Sequence, residues 1–223
     1  MNQAKPTCPP LTALEARVLG VLVEKEKTTP DVYPLTLNSL TAGCNQKTSR
    51  DPVMSVGESE VQATLDALRS RLLVIESYGA SGRVLRYAHN FGKVYALPAA
   101  SVALLAVLAL RGAQTVSELR ANSERLYRFD DASSVEAYLD ELAQRATGAL
   151  AVRLPKQPGS REHRWAHLLC GEVGLPAATR DPTDGPAPDG LSERVERLER
   201  EVAELRAEIA RLGALAGADT KAQ

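Results

Sequence analysis

Apolar residues follow helical spacing along most of the chain. In "VQATLDAL" Val61, Leu65 and Leu68 recur at i, i+4 and i+7, and in "VEAYLDEL" Val135, Leu139 and Leu142 do the same. The shared frame V-x-x-x-L-D-x-L marks an internal repeat. Two further helical patterns precede each frame, and a short apolar run that suits a strand follows it: "LLVIESY" (Leu72–Tyr78) and "ALAVRLP" (Ala149–Pro155). Each run turns on glycine and returns, as "GASGRVLRYAH" (Gly79–His89) and "PGSREHRWAHLL" (Pro158–Leu169). The order helix, helix, helix, strand, strand is therefore expected twice. That is the order of a winged helix, a three-helix core with a β-hairpin wing. The expected class is mainly α with small β-hairpins (α+β).

Helix starts support this division. "TALE" (Thr12–Glu15), "SVGE" (Ser55–Glu58), "TVSE" (Thr115–Glu118) and "SSVE" (Ser133–Glu136) all fit the capping-box pattern. Residues 1–10 are expected to be disordered, 11–90 to form the first winged-helix domain and 91–173 the second. Residues 174–190, "GLPAATRDPTDGPAPDG", are dominated by Pro, Gly, Asp and Ala and read as a flexible linker.

Beyond the linker the period changes. Leu191, Val195, Leu198, Val202, Leu205, Ile209 and Leu212 are spaced alternately by four and three residues. Val195, Val202 and Ile209 take position a of a heptad, and Leu198, Leu205 and Leu212 take d. β-Branched residues at a with Leu at d favour a parallel two-stranded coiled coil. Arg194 at g faces Glu199 at e of the partner helix, and Glu201 faces Arg206. A coiled-coil homodimer is expected over 191–213, followed by a disordered tail at 214–223. The competing reading is one amphipathic helix folded back on its own chain.

Composition narrows the class. Aromatic residues make up 4% of the chain against 44% hydrophobic overall, so the core must be mostly aliphatic. The formal net charge is −1, which supplies no global field toward nucleic acid. Residues 1–90 and 91–173 each carry 10 cations and 9 anions, and the acidity is confined to 174–223, with 7 and 10. Three widely spaced cysteines, Cys8, Cys44 and Cys170, give no disulfide framework and fit a reducing cytosol. The start "MNQAKPTCPP" has no apolar region of a secretory signal. "SVALLAVLAL" (Ser101–Leu110) is too short to span a bilayer and reads as a buried helix. A cytoplasmic protein without membrane contact is expected.

The stretch Leu11–Met54, with "LRGAQTVSELR" (Leu110–Arg120) and "SREHRWAHL" (Ser160–Leu168), resembles the YceH-like family of uncharacterised bacterial proteins. The resemblance covers residues 11–173. It implies a tandem winged-helix fold and brings no catalytic or ligand residues with it.

Winged helices often place their third helix in the DNA major groove and the wing on the backbone. The third helix of the first domain is expected from about Val56 to Leu72, with Glu58, Ser59, Gln62, Asp66 and Arg69 facing out. Gln62 has the chemistry to read adenine. Lys47, Thr48, Ser49 and Arg50 precede the helix, and Arg83 and Arg86 sit on the wing. Together with Gln62 and Arg69 they form the candidate DNA-binding set, with Asn45 a further phosphate donor. Glu58 and Glu60 at the helix start oppose phosphate. In the second domain Glu136, Asp140 and Glu141 do the same, and only the wing residues Lys156, Arg161 and Arg164 offer an auxiliary backbone contact. Asn45 is also expected to end the second helix in a left-handed cap.

No nucleophile elbow, Walker A loop or dinucleotide fingerprint appears, and no enzyme is expected. His163 and His167 of "HRWAH" would pair on a helix. On a strand they stand roughly 13 Å apart and cannot share one metal. Neither cofactor nor metal is expected. Two readings stay open: a dimeric regulator binding double-stranded DNA, slightly favoured by the grouped cations, and an adaptor whose winged helices bind an unknown protein partner.

Overall fold

Helix α1 (Ala13–Thr28) starts at the Thr12 capping box: the Thr12 hydroxyl accepts from the Glu15 backbone at 3.1 Å, and the Glu15 carboxylate accepts from the Thr12 backbone at 2.7 Å. The computed structural model describes residues 9–78, 82, 84–156, 160 and 162–172, all of them within one compact unit, Met1–Pro176. After α1 come a 3-10 turn (Pro30–Val32), α2 (Leu37–Cys44) and α3 (Glu58–Ser70). An antiparallel pair follows, β1 (Val74–Tyr78) on β2 (Leu85–His89), with Val74 opposite His89 and Tyr78 opposite Leu85. The short α4 (Phe91–Val94) leads into the second half: α5 (Ala99–Arg111), β3 (Gln114–Thr115), α6 (Val116–Ser123), α7 (Ala132–Ala143), β4 (Ala151–Arg153) and β5 (Arg164–His167). The three strands pair antiparallel in the order β3–β5–β4. The chain is thus α with small antiparallel sheets. No helix among the described residues is long and apolar enough to cross a membrane.

The apolar spacing maps onto burial as a helix face requires. Val61, Leu65 and Leu68 of α3 are buried, and so are Val135, Leu139 and Leu142 of α7. Two of the four capping frames hold, at Thr12 and Thr115. The other two are corrected. Gly57, not Ser55, precedes α3, and its backbone N–H is accepted by Glu60 at 2.8 Å. Asp131, not Ser133, caps α7, its carboxylate accepting from the Ser134 backbone at 2.8 Å. In both cases the helix is displaced by two residues from the frame, within the usual latitude of boundary assignment.

The repeat runs deeper than its helical frame. Leu35 bridges to Tyr87 just before Thr36 caps α2, and Gln114 pairs with Trp165 just before Thr115 caps α6. Tyr87 and Trp165 occupy the same place in "RYAH" (Arg86–His89) and "RWAH" (Arg164–His167), and both are buried. Both halves therefore tie their second helix to the returning strand through one large aromatic residue.

The halves meet along α1 and α5. Every residue from Glu15 to Val23 is buried, as is every residue from Ala100 to Leu108. Glycine permits the closeness: a Cβ at Gly20 would lie 2.9 Å from Leu110 Cγ, and one at Gly43 of α2 would lie 2.6 Å from Val21 Cγ1.

Candidate nucleic-acid interface

The polar loop between α2 and α3 is held from inside by arginines. Arg50 is buried: its Nε donates to Gly43 O at 3.1 Å, and its terminal nitrogens donate to the Glu24 carboxylate at 3.1 and 2.6 Å. Arg17, also buried, donates to Cys44 O at 3.3 Å and to Pro52 O at 2.6 Å. Burial pushes the Arg17 guanidinium below its usual pKa, and nearby Arg50 adds to the shift. Arg111 of α5 reaches across to Ser49 Oγ at 2.7 Å, and the Asp51 backbone donates to Leu110 O at 2.8 Å. Asn45 closes the loop, donating to Val56 O and accepting from Val56 N, each at 2.8 Å. It ends α2 at φ −87°, ψ 3°, which corrects the expected left-handed cap.

These contacts redistribute the candidate DNA-binding residues. Arg50 is removed from the set, because a buried guanidinium paired with Glu24 presents no donor to a phosphate. Lys47 and Thr48 are exposed on the loop, while half-buried Ser49 is bonded to Arg111. Gln62 accepts from the Tyr87 hydroxyl at 3.0 Å and donates to Asp66 at 3.2 Å. Arg69 donates to both Glu76 oxygens, at 3.0 and 2.9 Å, and lies 3.6 Å from Asp66. Arg86 donates to the carbonyls of Val32 and Pro34 at 3.2 and 2.7 Å. Arg83 lies outside the described residues. The exposed start of α3 presents Glu58, Ser59 and Glu60.

In the second half, Arg164 donates to Ala113 O at 2.7 Å and to Glu118 at 3.2 Å. Lys156 is exposed, and Arg161 lies outside the described residues. So do all seven heptad residues, Leu191, Val195, Leu198, Val202, Leu205, Ile209 and Leu212, together with the linker, the tail 214–223 and residues 1–8 of the N-terminal segment. On α7, Asp140 and Glu141 are exposed and Glu136 is half-buried.

Sequence reasoning missed Arg17, Glu24 and Arg111, which organise the loop. Arg17 carried a signal: it stands three residues after Leu14 and four before Val21, on the apolar side of α1. A charge in that position needs buried acceptors.

The cysteine and histidines behave as structural groups. Burial raises the Cys44 thiol to about 11, so it stays protonated at neutral pH. His163 Nδ1 lies 3.0 Å from Leu154 O. Burial lowers His167 to about 4, which keeps it neutral. No group of three or more His, Cys, Asp or Glu among the described residues is placed to hold a metal ion.

Among the described residues, four of the candidate cations, Arg50, Arg69, Arg86 and Arg164, are held by the chain's own carbonyls and carboxylates, while Lys47 and Lys156 are exposed. Residues 11–178 match the family described as "Protein of unknown function, DUF480", and the chain belongs to that family. Among relatives, a UPF0502 protein of Burkholderia vietnamiensis is 56% identical over 205 residues, covering 92% of this chain and 86% of its own. One from Acidovorax sp. is 56% identical over 210 residues, covering 91% and 92%. One from Burkholderia lata is 53% identical over 219 residues, covering 96% and 92%.

Proposed function

We propose that this protein is a non-enzymatic, cytoplasmic tandem winged-helix adaptor. Its units are residues 11–90 and 91–173, and the heptad segment 191–213 joins two copies as a coiled-coil homodimer. One observation carries the choice of a protein partner over DNA: Arg50 is buried against Glu24, exposed Arg69 is already paired with Glu76, Arg86 donates to two backbone carbonyls, and the helix start is left acidic. A surface that opposes phosphate is poorly suited to a ligand whose binding depends on phosphate neutralisation. The first hairpin adds apolar surface that a protein partner can bury. Tyr78 is 71% exposed, Val84 49% and Ile75 48%, and Leu72, just before the strand, is 70% exposed. The repeated order of helices and strands, and the Leu35–Tyr87 and Gln114–Trp165 pairings, support the winged-helix reading of each half.

A second reading, a DNA-binding regulator, is favoured by the exposed neighbours Lys47 and Thr48 ahead of α3 and by exposed Lys156 on the second hairpin. Titration of the full chain with random and genomic duplex DNA from low to high salt separates the two. The adaptor reading expects no saturable binding at low salt. Tight binding that falls steeply with salt and is lost in Lys47→Ala would replace it with the regulator. A photo-crosslinker at Tyr78 should join the chain to a discrete protein in cells. For the dimer, light scattering should give twice the chain mass, falling to one after truncation at Asp189. An unchanged monomeric mass in both rules out the coiled coil.

A further inference from the structure

A cavity of about 450 Å³ lies where the two halves meet, walled by α1, the end of β2, α4 and the start of α5. Small-molecule sites commonly have volumes of roughly 300–1,000 Å³, with apolar walls and few polar groups. The apolar wall draws on both halves: Val23 from α1, Val102 from α5 and Leu126 from the segment after α6.

The charges on the rim nearly cancel. Glu26 lies 3.0 Å from Lys27 Nζ, which neutralises its carboxylate, and 3.4 Å from His89 Nε2, with which it makes no hydrogen bond. Burial holds the His89 imidazole below its usual pKa, although Glu26 pulls the other way, so it is neutral at neutral pH. Lys93 is exposed, lines the same cavity and makes none of the ion pairs found among the described residues. The cavity therefore combines an apolar wall with one uncompensated positive charge.

We propose that this cavity binds a small organic monoanion, its carboxylate at Lys93 and its apolar body against Val23, Val102 and Leu126. An amine would have to compete with Lys27 for Glu26. A polyphosphate would need more than one free cation. The inference goes beyond the adaptor reading and does not rest on it, since Val23, Lys93, Val102 and Leu126 belong neither to α3 nor to the first hairpin.

Calorimetric titration of the full chain with octanoate tests it, with octanol as the uncharged match. One saturable site per chain is expected, with octanol at least about tenfold weaker. Lys93→Ala should weaken octanoate about fivefold or more, and Lys93→Arg should stay within about twofold. Ala99→Phe, at an exposed position on the cavity lining, should block binding while leaving the helical circular dichroism unchanged. The proposal is overturned if octanoate gives no saturable binding up to about 5 mM. It is equally overturned if octanol binds as tightly, if folded Lys93→Ala binds like the parent, or if folded Ala99→Phe still binds.

Discussion

A guanidinium with no exposed surface cannot meet a phosphate, and the Arg50 side chain is 0% exposed beside Glu24. Its role is to hold the loop against α1, so its loss is a stability effect. Arg50→Ala leaves the Glu24 carboxylate and the Gly43 carbonyl without their donor and should cost about 3 kcal/mol in urea unfolding. Lys47→Ala, three residues away on the exposed side, should change stability by less than about 0.5 kcal/mol. Equal effects of the two would contradict the buried pair. A double substitution at 47 and 50 is therefore a poor probe of DNA binding, and the single Lys47 variant is the informative one. His167 makes a separate prediction. Its folded pKa of about 4 lies below the ordinary 6.5 because burial penalises the charged imidazolium. The unfolded chain binds the proton first, so stability is intact above about pH 6.5 and falls as pH drops toward 4, by about 3 kcal/mol. His167→Phe should flatten that part of the pH–stability curve. An unchanged slope would show that other groups carry the acid sensitivity.

Helix ends separate what local sequence can specify from what it cannot. Thr12 and Thr115 each accept from the backbone three residues on and receive the reciprocal carboxylate, at Glu15 and Glu118. Thr12→Ala should cost about 1 kcal/mol and Ser55→Ala close to nothing, although both residues fit the same four-letter frame. Thermal unfolding of the two variants distinguishes an occupied cap from a chance match. The α3 and α7 faces were legible because Val61, Leu65 and Leu68, and Val135, Leu139 and Leu142, mark a helix period on one short segment each. Both hairpins were legible because apolar runs flank glycine. The loop was not, because its partners are distant in sequence: Arg50 meets Glu24 26 positions away, Arg17 meets Pro52 35 away and Arg111 meets Ser49 62 away. Local pattern holds no record of such pairings. The polar richness of Thr41–Val56 thus has a structural cause, since Asn45, Ser49 and Arg50 all bond within the fold.

Two repeats in sequence need not make two folding units. A helix buried on one stripe can belong to a single layer, whereas one buried all round needs neighbours on every side. α1 and α5 are both of the second kind, with buried runs at Glu15–Val23 and Ala100–Leu108. Gly20 lets them approach until a Cβ would lie 2.9 Å from Leu110 Cγ. Further ties cross between the halves: Leu11 N donates to Leu169 O at 2.7 Å, Arg111 to Ser49 Oγ at 2.7 Å and Asp51 N to Leu110 O at 2.8 Å. A fragment ending at Leu97 would keep the first three helices and their hairpin but strip α5 from α1. It would expose Leu and Val side chains, each contributing about 1.5–3 kcal/mol when fully buried, and leave Arg17 beside an opened core. Total domain stability is typically only about 5–15 kcal/mol, so the loss of that one contact suffices to unfold it. Residues 1–97 alone should therefore lack a cooperative melting transition in circular dichroism. The full chain should lose the first and second halves together, with fluorescence of the buried Trp165 and helical signal changing at one denaturant concentration. A folded, cooperatively melting 1–97 fragment, or two separated transitions in the full chain, would show instead that the repeats are independent domains resting against each other.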